Sequence, residues 1–136
     1  MPVSSDDRLR EILSLETVAV VGCSSTPGKD AHEIPRYLLD QGYDVIPVNP
    51  TTEEVLGRPA FDSLADVEAD IDIVDVFRPS AEVAGIADQV LERSDVEVLW
   101  LQLGIHDDEA VARLEESGRD VVQDRRMKPE HQRLLA

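Results

Sequence analysis

The organisation of this chain is set by one stretch near its start, Thr17-Val-Ala-Val-Val-Gly-Cys-Ser-Ser-Thr-Pro-Gly-Lys-Asp30. Its first five residues are mostly β-branched and apolar, which is typical of a buried strand. Glycine, proline and small polar residues dominate the rest, which is typical of a turn. A helical pattern begins near Ala31 and places Ile34, Leu38 and Leu39 on one face. The stretch therefore predicts a strand, a loop and a helix in succession.

The same alternation of strand and helix continues along the chain. The predicted strands are Thr17–Val21, Asp44–Val48, 71–77, 96–101 and Asp120–Val122. The predicted helices have apolar faces formed by Leu9, Ile12 and Leu13, by Ile34, Leu38 and Leu39, by Val83, Ile86, Ala87, Val90 and Leu91, and by Ala110, Val111 and Leu114. Such alternation indicates a parallel sheet covered on both faces. We predict an α/β three-layer fold with a mostly parallel five- or six-stranded sheet, in a single domain over residues 1–136.

Residues that begin or end helices lie at suitable places in this pattern. Gly42 and Gly118 follow predicted helices, where glycine commonly completes the C-terminal cap. Ser80 and Asp107 precede predicted helices, where their side chains can accept hydrogen bonds from free backbone amides. Segment 51–64 is irregular, and we predict a loop there that leads into a short helix capped by Ser63.

The charge of the chain limits its partners. It has 29 acidic and 13 basic residues, a formal net charge of −16, and its only lysines are Lys29 and Lys128. Such a surface repels a nucleic-acid backbone, so we expect no nucleic-acid partner. The simplest interpretation is a strongly solvated acidic surface. Adaptation to high salt is a second interpretation, because salt would screen the self-repulsion of the folded chain.

Composition also bears on location and on metal binding. No apolar run approaches the roughly 18–20 residues that span a bilayer, and residues 1–10 are polar, unlike a secretion signal. We therefore expect a cytoplasmic protein with no membrane partner. The single cysteine, Cys23, excludes an intrachain disulfide. Because the three histidines are scattered, we expect no metal site.

The loop after the first predicted strand has the features of a phosphate-binding turn. Gly22 allows close approach of the backbone, Ser24 and Ser25 offer hydroxyl groups, and Lys29 adds a positive charge. The helix that follows directs its free amides back at the loop, and such amides attract phosphate. An ordinary connection between a strand and a helix is the alternative.

Two familiar phosphate-binding motifs do not fit this loop. The Walker loop has four residues between its glycines and a Ser or Thr after its lysine. Here five residues separate Gly22 from Gly28, and an aspartate follows the lysine. The dinucleotide fingerprint needs a middle glycine and an acidic residue after the second strand. This chain has Ser24 and Asn49 at those places, which weakens the prediction of an NAD site.

Several segments together resemble one known family. They are VAVVGCSS (18–25), RYLLDQGYDVIPVNP (36–50), LG (56–57), DIVDVFR (72–78) and LWLQLG (99–104). In this order they resemble the stand-alone CoA-binding domain proteins, which are relatives of the N-terminal CoA-binding domain of the succinyl-CoA synthetase alpha subunit. The resemblance covers about residues 9–131. It implies a Rossmann-like fold that binds coenzyme A or an acyl-CoA across the carboxyl ends of the strands.

The resemblance also implies which residues hold each part of the ligand. They are Gly22, Ser24, Ser25 and Lys29 around the diphosphate; Asn49 and Pro50 along the nucleotide; Phe77, Arg78 and Pro79 at the adenine and ribose phosphate; and Gln102, Leu103 and Gly104 beside the pantetheine. Arg78 is well suited to this role because a guanidinium group matches phosphate geometry bidentately. The alternative for Arg78 is a surface arginine paired with Asp75 or with a helix acid.

The chain departs from the family pattern in one place, and it carries no recognisable catalytic constellation. Residues 124–126 are Asp-Arg-Arg, where many relatives resemble Asp-Arg-Cys. Cys23 either packs as a small apolar residue or, with its pKa lowered beside a helix N-terminus, forms a mixed disulfide with CoA. We expect a binding module without chemistry of its own. The alternatives are a subunit or regulator of an acyl-CoA-metabolising enzyme, and an NAD(P)-binding regulator. A homodimer is the working hypothesis for its assembly.

Overall fold

The computed structural model describes residues 2–135. Its strands, in chain order, are β1 (Thr17–Val21), β2 (Asp44–Val48), β3 (Glu54–Val55), β4 (Arg58–Pro59), β5 (Ile73–Val76), β6 (Val98–Leu101) and β7 (Asp120–Val122). Its helices are α1 (Asp6–Leu13), α2 (Asp30–Asp40), α3 (Val83–Leu91), α4 (Asp108–Glu116) and α5 (Met127–Leu134). Among the described residues, no helix has both the length and the apolar character that crossing a bilayer requires.

Five strands form one parallel sheet in the order β2-β1-β5-β6-β7, and β3 and β4 form a small antiparallel pair beside it. Every residue of β5 and β6 is buried. The continuous apolar character of β6, and of β5 apart from Asp75, therefore reflects cover on both faces of the sheet. This confirms the predicted α/β, Rossmann-like fold, with five strands rather than six.

Two apolar clusters lie on opposite faces of the sheet. One joins alternate strand residues to α1, α2 and α5, and the other joins the remaining strand residues to α3 and α4. Trp100, fully buried on the first face, donates from Nε1 to the carbonyl of Arg125 at 2.8 Å. The sheet is thus the middle of three layers, as predicted.

Several helix boundaries follow the predicted capping residues. Asp107 accepts a hydrogen bond from the amide of Ala110 at 3.1 Å and begins α4. After α2, the amide of Gly42 donates to Leu39 and that of Tyr43 donates to Leu38. These two bonds form a Schellman motif, which requires the left-handed backbone that glycine adopts easily. Gly118 ends α4 with the same pair of bonds.

Four predictions of local structure were wrong in detail. The strands expected at 71–77 and 96–101 are the shorter β5 and β6, and the amide of Ile71 donates to Asp95 at 2.7 Å instead of extending the strand. Ser80 starts a 3₁₀ turn and accepts from the amide of His106 at 3.1 Å, so α3 begins only at Val83. Ser63 precedes a 3₁₀ turn without capping it, because its hydroxyl donates to Asp66 at 3.3 Å.

Candidate functional site

The strand order creates a crevice between β1 and β5. After β1 the chain crosses to β2 through α2 on one face, whereas β5 continues through α3 on the other face. The loops that follow β1 and β5 therefore leave the sheet edge in opposite directions. In open α/β sheets, ligands bind at such a point, beyond the carboxyl ends of the strands. The loop after β1 and residues 77–79 after β5 lie there, as the sequence predicted.

A cavity of about 280 Å³ opens at this edge. Four of the predicted site residues line it: Gly22, Asn49, Pro50 and Arg78. Sequence analysis missed five polar residues that also line it: Thr51, Asp62, Ser63, Glu82 and Gln89. Of these, only Glu82 could have been predicted from the sequence. It lies four positions after Arg78, and this spacing brings two side chains together across one helical turn.

Arg78 lies across the exit of β1. Gly22 has a φ of +85°, and a Cβ built on it would lie 2.8 Å from Cδ and 3.2 Å from Cγ of Arg78. Nε of Arg78 donates to Oε1 of Glu82 at 3.1 Å, and Nη2 donates to Oε2 at 2.7 Å. This pairing lowers the pKa of Glu82 and raises that of Arg78. The structure thus shows the alternative proposed for Arg78, which is pairing with an acidic residue of the following helical segment. The pair lies at the edge of the cavity.

The loop after β1 is held at its base and exposed at its tip. Nδ2 of Asn49 donates to the carbonyl of Cys23 at 2.9 Å, and the amide of Ser24 donates to the carbonyl of Ala31 at 2.9 Å. Ser25 and Lys29 are exposed. Lys29 is the N-cap residue of α2, and within residues 2–135 no side chain caps the start of this helix. The first amides of α2 therefore face the loop without a side-chain partner, in the arrangement that attracts anions.

A proline inside α2 explains the bond that holds Ser24. Pro35 has no amide hydrogen, so it leaves the carbonyl of Ala31, four residues earlier, without its usual helical donor. The amide of Ser24 donates to that carbonyl instead. Pro35 is visible in the sequence, but only the structure shows that the amide of Ser24 lies close enough to bond the carbonyl that Pro35 leaves free.

The remaining predicted residues follow β5 and β6. Phe77 packs partly against the apolar cluster on the α2 face, and Pro79 precedes the 3₁₀ turn before α3. Leu103 is 53% exposed, and the amide of Gly104 donates to Asp124 at 2.6 Å. The side chain of Gln102 is turned into the core, so the structure does not bring it to the exposed edge.

Gln102 instead donates to a fully buried carboxyl group, that of Asp75 in the central strand β5. Burial raises the pKa of Asp75 to about 8, and the bond from Gln102 opposes that shift. Oδ2 of Asp75 and Oε1 of Gln102 are both buried without a hydrogen-bond partner among the described residues. An ionised carboxylate can only accept hydrogen bonds, whereas a protonated Asp75 could also donate one.

Cys23 lies in the same buried region. Its side chain belongs to the apolar cluster on the α2 face and has no exposed surface. Burial, with a smaller contribution from Asp75, raises the pKa of the thiol to about 12. A thiol in this state is a poor nucleophile, so the structure favours the interpretation of Cys23 as a small apolar residue.

The Asp-Arg-Arg segment follows β7 in the chain and is joined by an ion pair to the start of α2. Arg126, where many relatives resemble cysteine, pairs with Asp30 through Nε at 3.1 Å. Arg125 pairs with Glu130 at 3.3 Å, while Asp124 accepts from Gly104. The carboxyl-terminal loops are therefore joined to one another around the edge of the sheet.

Comparisons with known proteins find relatives that match nearly the whole chain. The family model described as CoA binding domain matches residues 16–132. The uncharacterized protein YneT of Bacillus subtilis (strain 168) is 41% identical over 128 residues, which are 93% of this chain and 94% of YneT. A hypothetical protein from Pyrococcus horikoshii OT3 has a solved structure with a TM-score of 0.94 and 37% identity, covering 100% of this chain and 97% of that one.

A larger enzyme contains a similar segment. The ADP-forming acetate–CoA ligase of Methanocaldococcus jannaschii is 32% identical over 84 residues. These residues are 62% of this chain but only 12% of the ligase.

Proposed function

Because this chain belongs to the family of CoA-binding domains, we propose that it binds coenzyme A or an acyl-CoA at the carboxyl ends of β1, β2, β5 and β6. The observation that carries the proposal is the cavity beside Gly22. It lies at the switch point of the sheet, and residues that the family resemblance assigns to the nucleotide line it. Ligand binding at such a point is a general property of open α/β sheets.

Each part of the ligand has a proposed position. The diphosphate lies on the loop after β1, near Gly22, Ser24, Ser25 and Lys29, where the first amides of α2 add partial positive charge. The nucleotide passes Asn49 and Pro50 and reaches Phe77, Arg78 and Pro79. The pantetheine runs past Leu103 and Gly104, and Gln102 anchors the start of that loop from within the core.

We propose binding without chemistry of this chain's own. Its buried thiol has a raised pKa, and its buried carboxyl group, Asp75, is not among the described residues that line the cavity. An acyl-CoA-metabolising enzyme that uses this chain as a subunit is the second candidate, and the short segment matched within the acetate–CoA ligase supports it. Co-purification of a second subunit would favour that candidate.

A ligand panel tests the proposal. We expect CoA or acetyl-CoA to raise the melting temperature of the purified protein, because a ligand that binds the folded state stabilises it by mass action. NAD and NADP should have little effect. A shift with NAD and none with CoA would refute the proposal. Mass spectrometry of any ligand retained during purification would identify the acyl group.

A further inference from the structure

Arg78 is paired before any ligand arrives. Among the described residues that line the cavity, Arg78 is the cationic side chain, while Asp62 and Glu82 are acidic. Both Nε and Nη2 of Arg78 donate to the two carboxylate oxygens of Glu82. This bidentate pattern is the one that a guanidinium group also uses to bind phosphate.

The stem of Arg78 packs over the backbone of Gly22. Its Cδ and Cγ occupy the space above Gly22 that a side chain would otherwise fill. A phosphate that binds the Nε–Nη2 edge of the guanidinium group would therefore compete with the carboxylate of Glu82.

We propose that Glu82 is an internal competitor of the ligand's phosphate, holding Arg78 in the free protein and releasing it when the phosphate binds. This inference rests on the proposed function. Arg78 and Glu82 have side chains that are 48% and 47% exposed. An ion pair so open to water is weak, so a phosphate group can displace the carboxylate at small cost. Glu82 thereby lowers the affinity for the ligand without blocking the site.

Isothermal titration of CoA into Glu82→Gln and wild-type protein tests the proposal. We expect Glu82→Gln to bind CoA about two- to fivefold more tightly, which corresponds to the strength of an exposed ion pair. Asp62→Asn is the matched control, because it removes one negative charge from the same cavity without touching Arg78. It should change the affinity by clearly less than Glu82→Gln does.

Two further measurements identify the competition. In the Arg78→Gln background, Glu82→Gln should no longer raise the affinity, because the contested donors are gone. Titration with 3′-dephospho-CoA shows which phosphate is involved. If Glu82→Gln raises the affinity for CoA but not for 3′-dephospho-CoA, the competition is with the 3′-phosphate. If it raises the affinity for both ligands equally, the competition is with the diphosphate.

Other results would overturn the inference. An equal increase in CoA affinity in Glu82→Gln and Asp62→Asn would show a general charge effect. A decrease in CoA affinity in Glu82→Gln would show that Glu82 itself contacts the ligand. If wild-type protein binds CoA and Glu82→Gln binds it equally well, the inference fails while the proposed function stands. If neither the wild-type protein nor any variant binds CoA, both fail.

Discussion

Gly22 and Arg78 occupy adjoining space at the exit of β1: a Cβ on the glycine would lie 2.8 Å from Cδ of the arginine. The missing side chain of one residue therefore makes room for the long side chain of the other. The same glycine has a φ of +85°, which side-chain-bearing residues rarely adopt. Backbone conformation and close approach thus both require glycine at this position.

Replacing Gly22 by alanine should displace Arg78. We expect Gly22→Ala to lower the free energy of unfolding by about 1–3 kcal/mol, from the left-handed backbone and the contact together. It should also weaken CoA binding. Gly28→Ala is the control, because Gly28 has a φ of +92° but no atom within 4 Å of its built Cβ. Urea unfolding and CoA titration measure the two effects. Equal losses of CoA affinity in both variants would contradict the role assigned to the contact.

Replacing Pro35 by alanine should loosen the loop after β1. The new amide at position 35 would donate to the carbonyl of Ala31 and compete with the amide of Ser24. We expect hydrogen exchange at Ser24 to become several-fold faster while α2 itself becomes no less stable. The amide of Gly22, which donates to Val48 at 2.9 Å, is the internal control and should exchange at its original rate. Unchanged exchange at Ser24 would mean that its bond does not depend on the proline.

The buried Asp75 should make stability depend on pH. Its pKa is about 8 in the folded protein, against an ordinary value of 3.8, so the folded protein keeps a proton that the unfolded chain releases between these values. This contribution to stability is complete below about pH 4 and is lost as the pH rises through about 8. The melting temperature should therefore fall between pH 5 and pH 9.

Asp75→Asn removes that dependence. The amide can accept from Gln102 with its oxygen and can donate with its nitrogen at any pH. We expect the variant's melting temperature to change less than that of the wild-type protein, with the difference widening toward pH 9. Asp40→Asn controls for the loss of one charge at an exposed position. A wild-type profile with the same slope as Asp75→Asn would show that Asp75 does not titrate in this range.

Salt should stabilise the folded chain. With a formal net charge of −16, self-repulsion opposes compaction, and at molar salt the screening length falls to about 3 Å. Screening also weakens surface ion pairs, such as that between Arg113 and Asp88, but these contribute little. We expect the melting temperature to rise between low and molar KCl. Sucrose at matched osmolality is the uncharged control. A melting temperature that does not rise with KCl would end the hypothesis of adaptation to high salt.

Local sequence determined the elements of this fold. The alternation of β-branched runs with helical spacing predicted β1, β2 and β7 at their observed bounds, because the buried part of each strand is a short run of apolar residues. Gly42 and Asp107 marked helix ends because their contacts lie within a few residues of them. The loop at Gly22 was predicted to lie at the carboxyl ends of the strands because it directly follows a strand.

Tertiary structure alone decided which side chains meet. The pairing of Asp75 with Gln102 joins β5 to the residue that follows β6. The bond from Ser24 to Ala31 joins a loop to a helix carbonyl that Pro35 leaves without a helical donor. Ser80 was expected to cap its own helix, yet it holds His106 on the next loop. In each case a polar group takes whichever partner packing brings within hydrogen-bond distance, and sequence spacing does not encode that distance.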